Sequence, residues 1–316
     1  MKQPPKVLLK FLGVSLEKGL PLSIDFAVLA GTMAALLGDK DSAAKTLSLY
    51  AAGLMSPPVG KVVAGFDMSP ATSREGRAAT GYISDELDAP PGMTVRGCIN
   101  LAATGNGKSR KETAELTDQL LNWLELNTLA GTAVENLSSS DIQRTSLAIA
   151  MANSPILLVV DCPVHDSLHA KLKTFSEVGN TVIFRASSLG QIPYGVERIA
   201  LCDKNGISRI VRHSELAAIS LGGAEITVSF YPSLPRKQLE NIKGIRNLVH
   251  TDGLYKFTHS DTIHAITQIM LTARANSRAV VELHLAPIPP GNLLKMFDPT
   301  DGSTPPVDLF DTEEGF

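Results

Sequence analysis

The run PILLVVDCP, residues 155–163, restricts the fold more than any other stretch of the chain. It is almost wholly apolar and ends in Asp161, the pattern of a parallel strand buried on both faces. Parallel strands need helical crossovers, so strands and helices should alternate around it in an α/β fold. KVLLKFL, LSIDFAVL and MAALLG read as early strands, and VVAGF, TGYIS, TVIFRAS and VERIALC as later ones. A helix is expected from about Ala43 to Leu54, with apolar Leu47, Leu49, Tyr50 and Leu54, before the turn SPPVG. Residues 110–153 read as mostly helical. Leu116, Leu120, Trp123 and Leu124 share one face there, and a second helix starts near Ser138 and runs through LAIAMA.

Composition changes after about Leu221. AEITVSFY, RKQLENIKGI, NLVHT, LYKFTH, DTIHAITQIMLTARA and AVVELHLAP follow the order β-α-β-β-α-β, the split βαβ of a ferredoxin-like domain. The expected division is an α/β domain at 1–220 with a helical subdomain at about 97–145, a ferredoxin-like α+β domain at 221–297, and an acidic tail at 298–316. The tail, DPTDGSTPPVDLFDTEEGF from Pro299 with its preceding residue, is read as a disordered solubilising end. A docking peptide built on Leu309, Phe310 and Phe316 is the alternative.

The formal charge of −3 and a charged fraction of 19% point to neither nucleic acid nor an anionic membrane surface as partner. Cys98, Cys162 and Cys202 are far apart in sequence and fit no zinc or disulfide spacing, as expected in a reducing compartment. The N-terminus lacks a signal-peptide pattern, and no window reaches about 18 apolar residues. A cytoplasmic protein is expected.

The order of elements over roughly residues 5–215, with five altered motifs at the right separations, resembles the ATP-binding subunit of an ABC transporter that serves a separate membrane permease. The resemblance implies a P-loop NTPase-like core with a helical subdomain. Aligned on the helix end AAGL, the stretch LLGDKDSAAKTLSLYAAGL places Gly38 on the first glycine of the phosphate loop. Asp41 and Ala43 fall on the second and third glycines, Ala44 on the lysine and Lys45 on the magnesium-binding hydroxyl. Intact loops use glycine because backbone N–H groups must approach phosphate closely, with a lysine as the countercharge. Here a carboxylate stands in the nest and the cation is displaced. A one-residue bulge would return Lys45 to the lysine position, with Thr46 as the hydroxyl.

The other motifs are altered too. In GYISDEL, Asp85 stands where the family has a magnesium-binding glutamine; as a plain residue it reads as a surface aspartate. LSSSDIQR keeps Ser138 of the family's signature but replaces its two glycines and glutamine by Ser139, Ser140 and Asp141. Those residues are also ordinary helix N-cap and first-turn residues. In PILLVVDCP, Asp161 and Pro163 match, while Cys162 stands on the catalytic glutamate, where a protonated thiol is a poor base and a buried cysteine acts as a small apolar residue. Ser167 and Leu168 alter the loop beyond. Ser187 stands on the γ-phosphate-sensing histidine. His165 and His169 lack a third nearby ligand for a metal.

Cation, base and sensor are thus changed together, and each such group typically supplies about 2–4 kcal/mol of transition-state stabilisation. The expectation is a pseudo-ATPase with no cofactor, structural or regulatory in a membrane-associated complex and peripheral to the inner face of the membrane. The resemblance implies an ABC-2-type permease bound in a groove near 87–96 and 110–136, and an intact ATPase or a second copy as dimer mate. The alternatives are an active exporter subunit using ATP and magnesium through the shifted Lys45, and a free-standing interaction module.

Overall fold

The computed structural model describes residues 6–17, 24–105, 107–214, 216, 223–290 and 292–293. The acidic tail expected at 298–316 lies outside the described residues. The chain divides into two compact units, 1–214 and 215–316.

The first unit runs β1 (Val7–Ser15), β2 (Ile24–Leu29), β3 (Met33–Leu37), α1 (Ala44–Ala51), β4 (Val59–Ala64), β5 (Ser69–Pro70), α2 (Arg74–Ala79) and β6 (Thr80–Ile83). It continues with α3 (Val95–Gly105), α4 (Arg110–Trp123), α5 (Ser139–Met151), β7 (Leu157–Val160), α6 (Asp166–Glu177), β8 (Thr181–Ala186), β9 (Arg198–Asp203) and β10 (Gly206–Arg212). An antiparallel sheet has the order β2-β1-β4-β5; a six-stranded sheet has the order β10-β9-β3-β8-β7-β6. Strands β6, β7, β8, β3 and β9 of the larger sheet are parallel, and β10 is an antiparallel edge. The four residues of β7, within the apolar run, are all buried at its centre. Phe11 and Phe26 of the smaller sheet, Leu47 and Tyr50 of α1, and Leu36, Val159 and Ile183 of the larger sheet share one core. Helix α1 is thereby fixed against β3, β7 and β8, at the ends of the strands that carry the motifs.

Helix α1 stops at Ala51, three residues before the expected end. Leu54 N–H donates to Leu49 O at 3.0 Å and Gly53 N–H to Tyr50 O at 3.1 Å, a Schellman stop. Gly53 adopts φ +69°, and a Cβ there would meet Ala71 O at 2.0 Å, so both its conformation and its surroundings require glycine.

Helices α3, α4 and α5 pack on one another as the helical subdomain. Two short 3₁₀ turns, Asn127–Leu129 and Val134–Asn136, break the helical stretch expected at 110–153. The buried face of α4 also differs from the expected one: it carries Thr113, Thr117, Leu120 and Leu121, while Leu116 and Trp123 are partly exposed. A buried threonine is tolerated because Thr117 Oγ1 donates to Asn100 Oδ1 on α3 at 2.7 Å.

The second unit runs β11 (Ala224–Tyr231), α7 (Arg236–Glu240), β12 (Arg246–Thr251), β13 (Leu254–His259), α8 (Thr262–Ala275) and β14 (Ala279–Ala286). Its sheet order, β12-β13-β11-β14 with antiparallel neighbours, is that of the ferredoxin-like split βαβ. Ile226, Val228 and Phe230 alternate towards Tyr255, Phe257, Ala265 and Ile269 in its core. Helix α7 is shorter than RKQLENIKGI suggests, because the chain beyond it turns so that Lys243 O meets the ring of buried His259 at 3.0 Å. Among the described residues, no helix is long and apolar enough to cross a membrane.

Candidate functional site

Strand β3 delivers Gly38 to a loop in which four backbone donors have partners inside the protein. Gly38 N–H donates to Ala186 O at 3.0 Å, Ser42 N–H to Asp39 O at 3.2 Å, and Ala43 N–H to Asp203 O at 2.8 Å. Ala44 N–H reaches Ser42 Oγ at 3.4 Å, and that hydroxyl itself donates to Asp39 O at 2.7 Å. A Cβ on Gly38 would lie 2.1 Å from Ser42 Oγ, so the space at this glycine holds a side chain. From Gly38 to Thr46 no residue adopts positive φ, whereas an anion-binding nest alternates right- and left-handed residues. Asp41 is exposed, Ala43 and Ala44 are buried, and Lys45 is exposed as the second residue of α1, followed by Thr46.

Asp161 follows β7 and is 4% exposed. Its Oδ2 accepts from Tyr82 Oη at 2.6 Å, and its Oδ1 faces Ser48 Oγ at 3.3 Å. Arg185 Nε donates to the same Oδ1, and Arg185 Nη2 to Asp161 O at 3.0 Å. The register places this arginine there: Val160 pairs with Phe184 between parallel β7 and β8, so the next residues on each strand are Asp161 and Arg185. Both carboxylate oxygens are engaged and the charge is met by a guanidinium. Burial first, and then the hydrogen bond to Asp161, push the Tyr82 hydroxyl well above the ordinary tyrosine range, which keeps it a donor.

Cys162 is buried, and burial, with Asp85 and Asp161 nearby, pushes its thiol up to about 12. It therefore stays protonated at neutral pH and cannot act as a base there. Asp85 is exposed just beyond β6. Ser187 is exposed, and both its N–H and its hydroxyl donate to Gln191 Oε1 at 2.8 Å.

Ser138 caps α5: its Oγ accepts from Asp141 N–H at 3.2 Å and donates to Asp141 Oδ2. Arg144 donates to Asp141 Oδ1, and also to Leu124 O at 3.1 Å. The Ser138 hydrogen bond, more than the Arg144 charge, holds the Asp141 carboxyl below its usual range. The first turn of α5 thus closes on itself. Gln143, 2% exposed, donates to Pro163 O at 2.7 Å and accepts from His165 N–H at 3.2 Å, tying α5 to the segment after Asp161.

The structure therefore gathers Gly38, Asp41, Ala43, Ala44, Lys45 and Thr46 at one end of the larger sheet with Asp161, Cys162 and Ser187. Ser138 and Asp141 stand on the helical subdomain. Arg185, Tyr82, Ser48, Ser42 and Gln143 were missed from sequence; a lone arginine in the apolar strand TVIFRA was the available signal. As arranged, these residues do not fit a magnesium-bound triphosphate: the loop has no residue of left-handed φ to shape a nest, Ser42 packs on Gly38, and Asp161 holds Arg185. Among the described residues no three His, Cys, Asp or Glu side chains gather as a metal site.

Residues 87–96 and 130–135 meet on the helical side. Gly92 N–H donates to Glu135 Oε2 at 3.0 Å, Val134 N–H to Met93 O at 2.9 Å, and Val95 N–H to Thr132 O at 3.1 Å.

Residues 22–165 match the model of the ABC transporter family. The chain is 32% identical over 142 residues to the Nod factor export ATP-binding protein I of Rhizobium johnstonii, covering 44% of this chain and 45% of that protein. It is 27% identical over 202 residues to the sulfate/thiosulfate import ATP-binding protein CysA of Mycolicibacterium paratuberculosis, covering 61% and 55%. The chain spans about half the length of the curated relatives it matches. The solved structure of cbiO1 from Clostridium perfringens, part of the ABC transporter complex cbiONQ, shares the fold with a TM-score of 0.57 at 19% identity, covering 67% of this chain and 91% of that one.

Proposed function

We propose that this chain, whose residues 22–165 form an ATP-binding domain of the ABC transporter type, is a subunit of a membrane transport complex that neither hydrolyses ATP nor needs it to hold its shape. The observation that carries this reading is the loop at Gly38, where no left-handed residue shapes a nest, Ser42 packs on Gly38, and Asp39, Asp203 and Ser42 take N–H groups of the loop. The buried Cys162 thiol and the locally satisfied Ser187 support it, since neither a base nor a γ-phosphate sensor stands in place.

The role left to such a subunit is structural or regulatory. Its relatives carry names of ATP-binding proteins in export and import, and by analogy the partner here is a membrane permease at the cytoplasmic face, of ABC-2 type on the reading made from sequence. The permease would dock near 87–96 and 110–136, where the hydrogen bonds between residues 92–95 and 132–135 hold the surface rigid without a ligand. An intact ATPase or a second copy would complete the assembly.

Phosphate release from ATP with magnesium tests the catalytic half of the proposal, with Lys45→Ala as control. The expected rate is that of buffer alone for both proteins. A rate above background that disappears in Lys45→Ala would establish the active-subunit alternative in its place.

A further inference from the structure

We propose that Arg185 is the resident counter-ion of this site, a guanidinium built into β8 that takes the role a nucleotide-bound divalent cation has beside Asp161. The inference rests on the reading just proposed and deepens it: it says what makes the site self-sufficient. Four observations converge. Asp161 is almost wholly buried, so its charge needs a partner. Arg185 meets it twice, through the side-chain oxygen and the backbone carbonyl. The remaining carboxylate oxygen is taken by Tyr82, and Ser48 of α1 stands at the oxygen shared with Arg185. The arginine side chain itself is 23% exposed, so part of it reaches solvent while its Nε and Nη2 are held by Asp161.

A divalent cation needs oxygen ligands, and here both oxygens of Asp161 are already engaged with a guanidinium charge beside them. Arg185 therefore excludes the metal by charge, and joins β7, β8, α1 and β6 through one buried group. The site is a fixed girder of the fold.

Thermal melting of the full chain, with and without Mg²⁺ or Mn²⁺ and with no nucleotide, tests this. Three proteins are compared: wild type, Arg185→Met, and Arg185→Met/Asp161→Asn. Wild type should melt at a Tm that neither cation changes. Arg185→Met should lose roughly 5–10 °C, since a buried carboxylate is left alone, and should regain stability as either cation is added. The double variant should recover most of the lost Tm and ignore the cations. If Arg185→Met does not fold, a double variant that does fold still supports the counter-ion role. The proposal is overturned if the cations raise the wild-type Tm, if Arg185→Met melts like wild type, or if it folds without gaining a response to either cation. It is also overturned if the double variant is as impaired as the single one, because the arginine would then act by packing. None of these readouts involves ATP, so turnover by the wild type would defeat the proposed function while leaving this test to stand or fall by itself.

Discussion

Ser42 and Gly38 set the geometry of the loop between them: the serine hydroxyl sits where any side chain on the glycine would have to go. Gly38→Ala should cost about 1–3 kcal/mol in urea unfolding, the usual range for overpacking. Pairing it with Ser42→Gly should recover about 1 kcal/mol of that, as a double-mutant cycle would register. A loop indifferent to Gly38→Ala would mean that Ser42 does not pack on Gly38. Cys162 supplies a pH test. Its thiol is pushed up to about 12 in the fold, while an unfolded cysteine titrates near roughly 8.5. The neutral thiol's contribution is thus fully present below about pH 8.5 and is lost as pH rises from there towards the folded value. Cys98 and Cys202 are shifted in the same direction by burial. Denaturant midpoints should therefore fall as pH rises from about 8.5 to about 10, the lower part of the interval the linkage covers, and Cys162→Ala should flatten that fall. A thiol-reactive dye at neutral pH should label none of the three in the folded chain and all three after unfolding.

Helix α5 shows how an element is held in place by its own cap and by one buried side chain. The Ser138 cap and the Asp141–Arg144 pair close its first turn, and Gln143 holds it to the segment after β7. Ser138→Ala should cost about 0.5–2 kcal/mol, as a lost N-cap does. Gln143→Ala, which removes the side chain that bonds Pro163 O and His165 N–H, should cost about 0.5–1.5 kcal/mol for each hydrogen bond lost. Urea unfolding decides both; equal and negligible losses would mean that α5 is held by its apolar contacts alone. Elements such as these were legible in sequence to different depths. The strand ending at Asp161 was plain because burial on both faces leaves an unbroken apolar run. The face of α4 was misjudged because Thr113 and Thr117 are buried, Thr117 through Asn100 on another helix, a partner no periodicity reveals. Arg185 was overlooked because its meaning lies in the register of β8 against β7, which only the folded sheet supplies.

Across the whole molecule, alternation of strand and helix announced both units: the parallel sheet from its apolar strands, and the ferredoxin-like unit from its β-α-β-β-α-β order. The partners that Ala43 and Asp161 find were hidden, because each comes from a residue distant in sequence: Asp203 to Ala43, and Arg185, Tyr82 and Ser48 to Asp161. On the proposed reading these internal contacts let the first unit hold its form with no ligand and serve a permease as a fixed part. Calorimetric titration of the full chain with ATP and magnesium tests that claim most directly. The account predicts no binding heat up to about millimolar nucleotide, an affinity no better than roughly −4 kcal/mol. Micromolar binding that vanishes in Lys45→Ala would contradict it, and would mean that the loop opens, expels Ser42 and takes up phosphate after all.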